Sequence, residues 1–283
     1  MRAGAIAVAG LCAVGLAGCG SSAATVTPAP PVSAAITPPA LSTAPGPCRA
    51  VVARTMRTVA ARIEARAALH RRVTGRPPSL VAALTRPAPA VCAANAAQTV
   101  ADTVGVVGER LVRAEATGTE VRRELGLVAR DPAFVRAVRR RDAQALRTAI
   151  VGFFRHRQLH IVRVRATTAS GHLVNDVGGP YVLAPASRTI LDHGRAVGRV
   201  TLSVQDDAGF IKLMRRFTGA GVVLRTRSGV VPGSATAPPA MTTRTMAATD
   251  GTRFATSTFT ARAFPSGPLQ VALLVPMTET GPR

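Results

Sequence analysis

At His160 the hydrophobic rhythm of the chain changes from a helical to a strand period, and this limits the fold more than any other feature. Before it, Val52, Met56, Val59 and Ile63 step by 4, 3 and 4, and Val100, Val104, Val107, Leu111 and Ala114 step by 4, 3, 4 and 3. Each run puts a narrow apolar seam on one helix face, suited to packing against a second helix. After it, Val162, Val164 and Ala166 alternate with Arg163 and Arg165, as in a strand with one buried face. Further strand candidates fall at 173–177, 181–184, 197–204, 222–227, 253–263 and 269–275, separated by Gly, Pro, Asn or Asp. One helix interrupts them, with Phe210, Leu213, Met214 and Phe217 at helical spacing after Asp206-Asp207, ending at Gly219 and Gly221. The expected fold class is α+β: N-terminal helices followed by an antiparallel sheet of five or six strands with one crossing helix.

Two more helices precede the switch. Asp131-Pro132 has an N-cap carboxylate and a proline suited to the first turn, with Phe134, Val135 and Val138 on the apolar side. Leu146, Ile150, Phe153 and Phe154 mark the next.

The start of the chain has Arg2, an apolar stretch over 3–15 too short to span a bilayer, and Leu16-Ala17-Gly18-Cys19. This resembles a bacterial lipoprotein signal peptide. The resemblance implies a signal peptide at 1–18, lipid on the sulfur of Cys19, and attachment at the outer face of the cytoplasmic membrane. Residues 19–47, rich in Ser, Ala, Thr and Pro, are expected to form a disordered spacer. With Cys12 removed and Cys19 lipidated, Cys48 and Cys92 are left in an oxidising compartment, where a disulfide is expected. A bond between the starts of two full-length helices makes them parallel, so residues 75–91 must return about 35–40 Å. If 79–85 forms a short helix, the first helix is expected to be shorter or broken.

The chain has 36 Lys and Arg against 14 acidic residues, a formal charge of +22, with Lys212 its single lysine. Two readings fit this arginine usage: the codon bias of a GC-rich genome of actinobacterial type, or a surface that meets anionic lipid or wall polymer. The excess is concentrated in 49–165, where 23 basic residues face 8 acidic ones, so the helical half is the natural side to face a membrane. One tyrosine and no tryptophan leave few platforms for stacking bases, and nucleic acid is not an expected partner.

The runs Gly171-His172-Leu173-Val174-Asn175-Asp176-Val177-Gly178-Gly179-Pro180-Tyr181, Gly198-Arg199-Val200-Thr201-Leu202-Ser203-Val204-Gln205-Asp206-Asp207 and Gly209-Phe210-Ile211-Lys212-Leu213 are similar to Cache domains, PAS-like extracellular sensors, of exported actinobacterial proteins. The resemblance covers 120–276, leaving 48–119 as a helical stalk or helix pair and 277–283 as a tail. It implies a small polar metabolite bound over the sheet by Tyr181 and Asp206, with Asp176, Asp207 and Lys212 as further ligand-binding candidates. It also implies a membrane signalling or transport partner, since no transmembrane helix after Cys19 and no kinase, cyclase or methyl-accepting region is expected in this chain.

Each candidate has a plainer reading. Asp206 and Asp207 suit a helix start as well as a ligand's ammonium. Tyr181 suits a core edge, and Asn175-Asp176 a turn. His156 and His160, four apart, could share a helix face, but Arg155 and Arg157 oppose a dication, so no metal is expected. No serine stands in a nucleophile elbow and no thiol is spare, so neither an enzyme nor a cofactor is expected. The expected function is a lipid-anchored, extracytoplasmic small-molecule-binding module. The alternative is a structural or interaction lipoprotein that binds envelope polymer, lipid or a protein partner.

Overall fold

The computed structural model describes residues 45–74, 81–88, 92–93, 95–156, 159–235, 244–247, 251–265 and 267–277. The leader, Cys19, most of the spacer and the chain after 277 lie outside these. The helices are α1 (Pro45–Thr74), α2 (Val81–Leu84), α3 (Ala96–Thr117), α4 (Thr119–Val128), α5 (Pro132–Arg140), α6 (Ala143–Arg155) and, within the strand region, α7 (Asp207–Thr218). The strands are β1 (Arg163–Thr168), β2 (Leu173–Gly178), β3 (Val182–Leu183), β4 (Ala186–Asp192), β5 (Arg195–Ser203), β6 (Gln205–Asp206), β7 (Gly221–Thr226), β8 (Gly229–Val230), β9 (Thr245–Ala247), β10 (Arg253–Phe264) and β11 (Gly267–Pro276). The α+β class, with helices first and one helix crossing among antiparallel strands, is what the structure shows.

The expected single sheet is in fact two. The first has the order β2-β1-β5-β4; the second runs β6-β3-β10-β11-β7-β8, with β9 on β10. Each has its own core. Helices α4, α5 and α6 cover the first with Phe134, Leu146 and Ile150 over Val164, Ile190 and Leu202; α1, α3 and α7 cover the second with Val59, Val104 and Phe210 against Leu269, Val271 and Leu273. The sheets are stitched where the chain changes sheet: β3 runs on into β4, and β5 into β6, while β3 and β6 pair with each other. Strand β4 escapes sequence analysis because only Ile190 in it is buried, which leaves no alternation to read.

Residues 48–119 are built into the second core. Helix α3 is sandwiched between α1 and β10/β11, and a Cβ at Gly105 would stand only 2.2 Å from the Ser257 hydroxyl, so glycine is what lets the helix lie this close to the sheet. Gln98 Nε2 donates to Thr256 O at 2.8 Å across the same contact. The Cys48–Cys92 disulfide is present, with Cα atoms 5.7 Å apart. Ile63 and Ala67 of α1 line the same cavity as Glu115 at the far end of α3, so the two helices run parallel, as their bonded starts require. The expectation that a short helix would break α1 is wrong: α2 lies on the return path and α1 is continuous for 30 residues. One helical turn advances about 6 Å, and the rest of the return still reaches about 40 Å. Closing this loop, with a separation of 44 residues, stabilises the fold by about 4 kcal/mol in the chain-entropy picture.

A salt-bridge clamp joins the sheets. Arg163 Nε and Nη2 donate to the two Asp176 carboxylate oxygens at 2.7 and 2.8 Å, and Arg165 Nε and Nη2 donate to Oδ2 at 2.8 and 2.6 Å. Arg163 also donates to the Gly179 carbonyl. Both guanidinium groups lie over the ring of Phe264 in the second sheet, 5.3 and 4.8 Å from its centroid. The alternate arginines of β1 therefore face the neighbouring sheet, and Asp176, neither turn nor free pocket anchor, sits in β2 with its carboxylate occupied. Burial alone would raise this carboxyl, but hydrogen bonds from Arg163 and Arg165 and their charges outweigh it and hold it below the usual carboxylate range.

A depressed carboxyl contributes stability above its unfolded value near 4 and loses it as pH falls through its folded value. Asp176→Asn is expected to cost about 2–3 kcal/mol at pH 7, less than a fully buried pair because Arg165 is partly exposed. Urea denaturation at pH 7 and pH 3 checks this: the deficit should shrink at the lower pH, and an equal deficit at both would contradict the clamp's electrostatic role.

Candidate functional site

Tyr181 and Asp206 are brought together, but around backbone bonds. Asp207 N–H donates to Tyr181 O at 3.1 Å, and Asp206 Oδ1 caps α7 by accepting from Gly209 N–H at 2.7 Å. Tyr181 packs half-buried at the edge of the second core, Asp207 is the first residue of α7, and Lys212 is exposed on its outer side. Neither cavity described below has any of these four, or Asp176, in its lining. His156 caps the end of α6, and His160 lies beyond it in the approach to β1, so the two do not share a helix face.

One cavity, about 740 Å³, is an open groove where α3 diverges from β10; Glu109, Arg113, Thr258 and Arg262 are among its lining residues and all four are exposed. The second, about 270 Å³, is more enclosed and lies where the two helical layers meet. Ile63, Leu84, Leu213 and Phe217 supply apolar walls; Arg66, Glu115, Glu120, His160 and Gln205 supply polar groups. Its volume falls just under the ~300–1,000 Å³ of drug-sized sites, and apolar walls with a few convergent polar groups are the usual make-up of a ligand pocket.

The acidic groups meet here because the chain breaks between α3 and α4. Gly118 ends one helix and starts the next; its N–H donates to Ala114 O at 2.7 Å, and a Cβ there would lie 2.4 Å from that oxygen. The break places Glu115, from the last turn of α3, beside Glu120 in the first turn of α4. Glu120 is stabilised there by the helix dipole, and its Oε1 pairs with His160 Nδ1 at 2.8 Å. One turn on, Glu124 is fully buried: Oε1 accepts from His160 N–H at 3.0 Å, and Oε2 has no hydrogen-bond partner among the described residues.

Glu115 is the anomaly. It is 8% exposed, it lines the cavity, and no hydrogen bond or ion pair reaches its carboxylate among the described residues. Burial, reinforced by the charge of Glu120 and then Glu124 and opposed by His160, pushes its carboxyl up to about 7. Burial likewise raises Glu124, against the His160 N–H, while the hydrogen bond to Glu120 raises His160 against burial. In sequence the three glutamates, set among Arg113, Arg122 and Arg123, look like solvated helix charges and do not announce a site. The available signal was a concentration of acid on both sides of a glycine in a chain short of acidic residues.

No protein-family model matches the chain, and no curated protein matches it. Among solved structures, it is similar to the periplasmic domain of Vibrio cholerae LuxQ at 12% identity, over 63% of this chain and 95% of that one, with a TM-score of 0.35. A second structure of that domain gives 0.33 over 97% of its length. The ligand-binding domain of the Pseudomonas fluorescens chemoreceptor CtaA, in complex with L-alanine, matches at 12% identity over 64% of this chain and 99% of that one, with a TM-score of 0.31.

A carboxyl ionising near 4.5 when unfolded and about 7 when folded withdraws stability as pH rises between those values. The full loss is about 3 kcal/mol. Glu115→Gln should therefore leave stability almost unchanged at pH 4.5 and raise it by up to that amount at pH 8. Chemical denaturation across this range checks the sign; a variant less stable than wild type at pH 8 would show that Glu115 has a folded-state partner.

Proposed function

We propose that the chain is a lipid-anchored, extracytoplasmic module of the Cache-like sensor type that binds a small molecule in the cavity between its two helical layers. The observation that carries this reading is Glu115: a carboxylate nine-tenths buried, without a hydrogen-bond or ion-pair partner among the described residues, and lining a half-open cavity with apolar walls. A protein that only packs has no use for such a group, since a leucine would fill the position without the desolvation cost. The ligand site thus moves from Tyr181 and Asp206, which the fold uses to start α7, to the junction of α1, α3, α4 and α7. The Cys48–Cys92 bond suits an oxidising compartment, and Leu16-Ala17-Gly18-Cys19 supports anchoring.

A thermal-shift screen of the full chain against small polar metabolites tests the binding function. A ligand at 100 times its dissociation constant adds about 2.7 kcal/mol. Leu213→Trp, which crowds the cavity from a partly exposed position, should abolish the shift with little change in the unliganded melting temperature. A shift that survives Leu213→Trp places the ligand elsewhere, and a screen without hits favours an envelope-interaction protein.

The anchor has its own test. Wild-type protein should incorporate radiolabelled lipid and fractionate with membranes, while Cys19→Ser should do neither, because two acyl chains give stable attachment. Absence of label in the wild type would end the lipoprotein reading.

A further inference from the structure

We propose that the cavity's ligand is a monocationic amine, with one primary ammonium on a compact apolar body. This rests on the reading of the cavity as a ligand site and adds the sign, number and placement of the ligand's charge.

The polar groups left over in the cavity are acceptors. Glu115 offers two carboxylate oxygens with no donor upon them among the described residues. Gln205, 6% exposed, donates its amide nitrogen to Asp206 O at 3.0 Å, so its carbonyl oxygen remains as an acceptor without a partner among the described residues. An ammonium brings three donors and one positive charge, which matches this set. A neutral hydroxyl would leave the buried charge of Glu115 uncompensated, and a carboxylate would meet repulsion from both Glu115 and Glu120.

Among the described residues no cation hydrogen-bonds or pairs directly with Glu115, and His160 acts on it only through its charge. The chain has 36 Lys and Arg, yet Arg66, which lines the cavity from α1, makes no ion pair with it among the described residues, and His160 is committed to Glu120. No guanidinium among the described residues pairs with this buried carboxylate, which leaves the position open to an incoming cation. The rest of the ligand is fixed by the walls. Ile63, Leu84, Leu213 and Phe217 suit an alkyl or aromatic body, and about 270 Å³ limits its size. Glu120, the other carboxylate in the lining, is already paired with His160 Nδ1 at 2.8 Å, so one unmatched carboxylate answers one ammonium.

The test is calorimetric titration of the full chain at pH 8 with three isosteric sets: pentylamine, pentanol and pentanoate; benzylamine, benzyl alcohol and benzoate; phenethylamine with its alcohol and acid. At least one amine should bind tenfold or more tighter than its alcohol, with the acid weakest. Glu115→Gln, of nearly the same shape, should reduce that amine to the affinity of its alcohol, whereas Glu109→Gln in the separate groove should leave it unchanged. If an alcohol or acid equals its amine and is displaced by crowding at Leu213, the cavity still binds ligand but the ammonium assignment is overturned. An amine that binds Glu115→Gln as tightly as wild type also overturns it. If no amine binds at millimolar concentration the assignment falls, and with no hit in the broader screen the binding function falls with it.

Discussion

The arrangement depends on a close backbone approach at Gly118. There the chain leaves the helical layer of the second sheet and enters that of the first, and the carbonyl of Ala114 occupies the space a side chain would need. A continuous helix would place Glu115 and Glu120 about 140° apart around one cylinder, at 100° per residue. The break instead folds both toward a shared space, with the approach to β1 bringing His160 alongside. One residue without a Cβ thus connects the division into two cores to the electrostatics of the cavity between them.

The other junction is held by opposite means. Arg163, Arg165 and Asp176 satisfy one another almost completely and cover Phe264, so charge there is used up in joining sheets. At the helical junction, charge is left over. Structural ion pairs in this molecule come with their partners close by, as Arg139 and Asp192 also show at 2.8 Å. Against that pattern the isolation of Glu115 is informative: the fold tolerates a group that costs stability above neutral pH.

Much of the architecture was legible because it rests on local signals. The seams of Val52–Ile63 and Val100–Leu111, the Asp131-Pro132 start, and the Asp206 cap and Gly219 stop of α7 all depend on residues a few positions apart. What could not be read depends on distant contacts. The division into two sheets is decided by two-residue strands, β3 and β6, whose pairing leaves no periodicity in sequence. Arginines in β1 read as solvent-facing because nothing local announces Phe264, almost a hundred residues later. The candidate site was missed for a related reason. Glutamates on an arginine-rich helix look solvated until a second helical layer closes over them, whereas Asp206 and Tyr181 attracted attention for chemistry that the start of α7 consumes.

The most direct test of this account is a carbon-13 NMR titration of the Glu115 carboxyl in the unliganded full chain. The structure predicts ionisation centred near 7, because the group is buried beside like charges and has no hydrogen-bond donor among the described residues. A midpoint near the ordinary 4.5 would mean that Glu115 is solvated or already paired, and the cavity would then have no unmet charge for a ligand to answer.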